Sequence, residues 1–143
     1  MDNVVSILRE AQIAADNAAT KCFARLVEQG AKYVVVNDNL FSDPAIPKKV
    51  IGTMLDLCGG AYLTIDGRQP IIRALKKIGK LQESLYIGDF WSLSKSAYKG
   101  FKLNIQYKMS TRQEAQIHED AMIAAANVLK LHEVKVSVKT YID

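Results

Sequence analysis

The side chains able to do chemistry in this chain are mostly cations and rings. Arg68, Arg73, Lys76 and Lys77 lie close together, and Lys102, Gln106 and Lys108 fall on the polar phase of an alternating run further on. Guanidinium and ammonium groups that converge hold phosphates through charge-assisted hydrogen bonds. Phe90, Trp91 and Tyr98, with Tyr86 nearby, offer flat faces for a base, worth about 1–3 kcal/mol per stacked base. Arg68, Arg73, Lys76, Lys77, Phe90, Trp91, Tyr98, Lys102, Gln106 and Lys108 are therefore the candidate ligand-binding residues, a clamp and stack for an anionic, nucleotide-like molecule. Core packing is the competing use of the rings, and a solvated face that of the cations.

Catalytic constellations are not found. His118 sits in His118-Glu119-Asp120, whose neighbours at one and two residues diverge on a helix and cannot share a metal, so it reads as a solvated helix residue. His132 falls at a helix end, where the dipole favours an imidazolium. There is no glycine-flanked serine elbow. Gly59-Gly60 precedes a strand, lacks the helix N-terminus of a phosphate loop, and suits a tight turn or close backbone packing. No catalytic residue, metal site or cofactor is expected, and an enzyme acting on nucleotides would need an acid–base pair that the sequence does not supply.

The elements that must position these groups follow from periodicity. Apolar residues from Val4 to Leu26 step by three and four, marking one face of a long helix over Asp2–Gln29 that ends at Gly30. Its alanines make that face flat, so another element or another subunit can approach closely. Tyr33–Val36 reads as a strand, residues 40–47 as a loop, and Lys48–Leu55 as a short helix or more connecting chain. Ala61, Leu63 and Ile65 alternate with Tyr62, Thr64 and Asp66, giving a strand closed by Asp66-Gly67. Pro70 then opens a helix with Ile71, Ile72, Leu75 and Ile78 inward and Arg73, Lys76 and Lys77 outward, with Gly79 as the expected left-handed terminator.

Residues 82–100 read as strand and loop with aromatic anchors, and Phe101–Lys108 as a strand with one wet face. Thr111 and Glu114 form a capping-box pattern before a second long helix that ends near Glu133. Val134–Ile142 is the last strand. Burying both alanine stripes on one side of a sheet gives the expected fold: α+β, two long helices packed on a mixed, mainly antiparallel sheet of four to five strands, in a single domain over residues 1–143.

The chain has 143 residues and a formal charge of +4, but between Ser42 and Lys108 eleven Lys or Arg stand against five Asp or Glu. A local surplus of that kind suits an anionic partner. The longest apolar runs, such as Tyr33–Val36, are too short to span a bilayer, and the N-terminus lacks a secretion-signal layout, which points to a cytoplasm and no membrane partner. Cys22 and Cys58 lack metal or redox spacing and read as reduced, small buried side chains.

Cys58-Gly59-Gly60-Ala61-Tyr62-Leu63, then Ile72–Gly79 with its Leu75-Lys76-Lys77-Ile78-Gly79 ending, the strand ending near Gln106, Met109 ahead of Glu114-Ala115, and the closing Tyr141-Ile142-Asp143 resemble a family of small bacteriophage proteins. That family carries a Cys-Gly-x-Ala-aromatic-aliphatic motif followed by a Leu-Lys-Lys-x-Gly helix, and the likeness spans roughly residues 55–143. This chain has Gly60 where the family usually has phenylalanine, and a longer link before the last helix. The resemblance implies a viral accessory role in the host cytoplasm and supplies no catalytic residue. Together with the cations and rings it gives the expected function: a non-enzymatic, homo-oligomeric anti-defence protein that sequesters a nucleotide-derived immune signal. A nucleic-acid-binding or host-protein-binding phage protein is the alternative, and a nucleotide-processing enzyme the second.

Overall fold

Alternating and 3.6-residue patterns divide the chain into helices and antiparallel strands. The computed structural model describes residues 3–31, 33–37, 49–96 and 100–143. In chain order come α1 (Val4–Gln29), β1 (Tyr33–Asn37), β2 (Lys49–Met54), β3 (Gly59–Ile65), α2 (Pro70–Ile78), β4 (Lys80–Gln82) and β5 (Leu85–Ile87). They are followed by β6 (Trp91–Lys95), β7 (Phe101–Ile105), α3 (Ala115–Leu131) and β8 (Val136–Ile142). The fold is α+β, and its main sheet has six antiparallel strands in the order β4-β5-β6-β7-β3-β8. β1 and β2 form a separate antiparallel pair.

The expected architecture is thus met coarsely: both long helices and the short helix opened by Pro70 are present, and the main sheet has six strands where four to five are expected. Lys48–Leu55, expected as helix or connection, holds strand β2, and the loop expected over 40–47 lies outside the described residues. The segment after α2 supplies the short strands β4 and β5, hydrogen-bonded in series to β6.

All three helices cover one face of the sheet. Leu63, Ile65, Leu93, Leu103, Ile105 and Val136 point from the strands into one buried cluster with Leu8 and Leu26 of α1, Ile71, Ile72 and Leu75 of α2, and Ile117 and Leu129 of α3. The alternate residues Tyr62, Thr64, Lys102 and Asn104 point the other way, as the pleat requires. α1 and α3 pack antiparallel: Glu10 meets His132 at the end of α3, whereas Arg25 meets Asp120 near its start. Ala11, Ala15 and Ala19 of α1 and Ala121 and Ala125 of α3 have no exposed surface. The alanine faces on which the expectation of self-assembly rested are used inside one chain.

Helix ends depart from the expected capping. The Thr111–Glu114 capping box does not form, because α3 begins only at Ala115. Its first N–H groups go to distant partners instead: Ala115 donates to the Leu57 carbonyl (2.9 Å) and Gln116 to Asp56 Oδ2 (2.8 Å). Gly30 does terminate α1 with φ 80°, but Gly79 is extended, at φ −81° and ψ 151°. Gly79 is required for space: a β-carbon there would lie 2.7 Å from the Trp91 ring.

Gly79→Ala should therefore destabilise the protein by about 1–3 kcal/mol, the usual cost of overpacking a filled site. The measurement is the urea midpoint at unchanged slope; an unaltered midpoint would show that Trp91 yields freely.

Candidate functional site

The basic helix is set in place at its start and along its buried side. Asp66 accepts from the Arg68 N–H at 2.8 Å, forming the turn after β3. The Gln69 side chain then grips the main chain of Lys135 at two points, its Oε1 accepting from the Lys135 N–H at 2.8 Å and its amide donating to the Lys135 carbonyl. Ile71, Ile72 and Leu75 are buried and fix the rotation of α2. With residues about 100° apart around the axis, Arg73 and Lys77 then share one side, while Lys76, offset from Arg73 in the opposite sense, reaches over Phe101.

Arg73 and Lys77 line a groove of about 820 Å³ between α2 and the first turn of α1, together with Arg68, Asn3, Val4, Val5, Ser6, Pro70, Ala74 and Ile78. Among the described residues that line it there is no carboxylate. The first turn of α1 holds no acid and no side-chain cap, so its N–H groups add positive partial charge to the same space. Arg68 is partly committed, because its guanidinium also binds Asp66 through Nε (3.3 Å) and Nη2 (3.2 Å). A smaller recess of about 370 Å³ shares Val5 and Ile78 with the groove and is walled by Ile87, Phe90 and Trp91.

The remaining candidates are dispersed. Lys76 lies with its ammonium 4.5 Å from the Phe101 ring centre, and Lys102 rests 4.4 Å from that of Tyr62 on the open face of the sheet. Lys108 is exposed, and its main-chain N–H donates to Asp16 (2.7 Å). The Gln106 carbonyl accepts from Gln12 (2.9 Å). Phe90 and Trp91 are 6% and 5% exposed, so they present edges to the recess and no free face for stacking. Tyr98 lies outside the described residues. The clamp therefore assembles in part, from Arg68, Arg73 and Lys77, without the ring stack expected beside it.

A second cleft, of about 810 Å³, opens at the end of the sheet where β3 and β7 part. β3 pairs with β8 through all its residues, from Gly59 to Ile65, but with β7 only at Leu63, Thr64 and Ile65. The floor of this cleft corrects the reading of His118, which is buried, at 7% exposure. Its Nε2–H donates to the Arg112 carbonyl at 2.5 Å, and Nδ1 accepts from the Tyr107 hydroxyl. Burial, reinforced by Tyr141, pushes the Tyr107 phenol far above its usual range, so it serves as a fixed donor. The signal for this histidine was its spacing from Ala121, Met122 and Ala125 on the buried stripe. His132, by contrast, is held at its helix end by Glu10 (2.9 Å).

Around this cleft, Arg112 pairs with the buried Glu114 and lies 4.7 Å from the Phe23 ring centre. Cys58 is half-buried, with its thiol directed at Gln113, while Cys22 is fully buried and its thiol is pushed up to about 11 by burial and by Asp120. Among the described residues no group of three or more His, Cys, Asp or Glu is placed to hold a metal. None of the described helices is long and apolar enough to cross a membrane. No protein-family model matches this chain, and neither a curated protein nor a solved structure does.

Burial opposes ionisation of Glu114, but hydrogen bonds from Arg112 and from backbone N–H groups outweigh it and hold the carboxyl below its usual range. A depressed value stabilises the fold above the unfolded carboxyl pKa, and the effect is lost as pH falls through the folded one. Glu114→Gln should cost about 1–3 kcal/mol at pH 7. In urea titrations that gap should begin to narrow as pH falls below about 4.3 and close once it has passed the lower folded value; a gap constant with pH would remove the ion pair as its cause.

Proposed function

We propose that this protein is a non-enzymatic phage accessory protein that antagonises host defence by binding and sequestering a nucleotide-derived signal in the groove between α1 and α2. The observation that carries the reading is the convergence of Arg73, Lys77 and Arg68 on one groove with no acid among its described lining residues, faced by the uncapped start of α1. Phosphate is the group such donors take: it accepts from several at once, and hydrogen bonds to charged groups contribute about 1.5–3 kcal/mol each. The recess beyond Val5 and Ile78, with Ile87, Phe90 and Trp91 on one wall and Lys80, Gln82 and Asp89 at its polar rim, gives the less polar end of a ligand somewhere to go. A nucleotide has both ends. The viral and anti-defence parts of the proposal rest on the sequence resemblance; the groove supplies the ligand class. Action in the host cytoplasm and assembly into a homo-oligomer belong to the same proposal, though the alanine faces no longer supply the surface for assembly.

The test is a thermal-shift panel of linear and cyclic nucleotides on the purified protein, followed by heat release and mass measurement of whatever bound. A ligand at 100 times its Kd should raise Tm by roughly 5–10 °C. Arg73→Ala/Lys77→Ala should abolish the shift while keeping the unliganded Tm, since both side chains are exposed. Release at unchanged mass supports sequestration, whereas altered mass would make the protein an enzyme. No shift with any nucleotide would overturn the proposal.

A further inference from the structure

Among the described residues no helix lies on the opposite face of the sheet, where the central strands carry mainly hydroxyl, lysine and tyrosine side chains. Across β8, β3, β7 and β6 the outward positions form rows: Ser137, Thr64, Lys102 and Ser94 in one, Lys139 beside Tyr62 in the next, and Tyr141 beside Gly60 in the third. Asn104 and Ser92 pair across β7 and β6. None of these positions holds a carboxylate, and two hold lysine. Asp89 and Asp143 stand at one end of the face, in the cleft that Gly60, Ser92, Asn104 and Tyr141 also line, so the part that attracts anions is the one bearing Lys102 and Lys139.

Two rings stand on it. Tyr62 and Tyr141 have centroids 6.4 Å apart, with planes inclined at 40°. Tyr141 is half exposed. Gly60 stands against it: a β-carbon there would come within 2.6 Å of the Tyr141 Cζ, so glycine is what lets the ring pass over this strand. A ring held at the strand and half exposed offers contact to another flat group. Lys102 lies over the Tyr62 ring and Lys139 pairs across the ladder from it, which puts ammonium groups next to the rings.

We infer that this open face binds single-stranded nucleic acid, a base on Tyr141 and its phosphates along Lys102 and Lys139. The site is separate from the groove, on the other side of the sheet, and does not depend on it. Stacking requires unpaired bases, so a duplex is a poor occupant. A second copy of the same face would oppose lysine to lysine, which argues against self-association there. An acidic protein would satisfy the lysines but make no use of the half-exposed Tyr141 ring.

The experiment is fluorescence anisotropy of the purified protein with labelled 12-mers of oligo(dT) and oligo(U) and a duplex of equal length, at low and moderate salt. Single strands should bind and the duplex should bind more weakly. Tyr141→Ala should weaken binding roughly 5- to 100-fold, with Tyr141→Phe near wild type. Lys139→Ala should reduce the slope of log K against log salt by about 0.7. Arg73→Ala/Lys77→Ala should leave these affinities unchanged, which separates this site from the groove. Circular dichroism of each variant checks folding. The inference falls if no oligonucleotide binds at low salt, if duplex and single strand bind equally, or if Tyr141→Ala and Lys139→Ala bind as the wild type does; binding of an acidic polypeptide in their place would assign the face to a protein.

Discussion

The helical layer depends on the close packing of α1 against α3. Ala11, Ala15 and Ala19 of α1 are buried, as are Ala121 and Ala125 of α3, and small side chains let two helix backbones approach more closely than leucine would allow. Closeness leaves little freedom in how α1 lies. Polar contacts fix it further: Glu10 with His132, Arg25 with Asp120, and Asp16 with the Lys108 N–H. Once α1 is set along α3 and over the end of β7, its first turn falls beside α2. The groove exists because of where that contact places the start of α1.

Charge is distributed by the same geometry. α2 carries three outward cations, and its rotation, imposed by Ile71, Ile72 and Leu75, decides which of them act together. Arg73 and Lys77 share the groove, while Lys76 covers Phe101 with its ammonium and its aliphatic stem. Lys102 and Lys139 belong to the pleat and face away from the helices. A basic surplus that looks like one reservoir in the sequence is divided in space into two surfaces separated by the core.

Much of the fold was legible because the patterns were long. α1, α2, α3, β3, β7 and β8 all declared themselves by period, and Asp66-Gly67 and Gly30 by turn chemistry. β2 did not, since Lys49–Met54 has a glycine in its middle and no strict alternation, and β4 and β5 are too short for a period to be counted. Capping was misjudged at α3 because the acceptor for Gln116 is Asp56, distant in sequence. The site was legible only in part: helical spacing placed Arg73 with Lys77, but nothing local revealed that Phe90 and Trp91 are consumed by the core or that Gly60 makes room for Tyr141. The charged pair Glu119-Asp120 gives the sequence around His118 the look of a wet face, whereas its helical partners Ala121 and Met122, one turn on, place it on the buried one.

The brevity of the ladder between β3 and β7 bears on how the molecule holds together. The sheet consists of two leaves, β8–β3 and β7–β6–β5–β4, sewn to each other by the residue pairs from Leu63 to Ile65. Strands so briefly stitched gain little cohesion from their own hydrogen bonds. α3 lies on the first leaf and α1 reaches the second, so the two helices act as a strap across the seam. Detachment of the strap and parting of the leaves would then be one cooperative opening, with backbone protection in both leaves surrendered together.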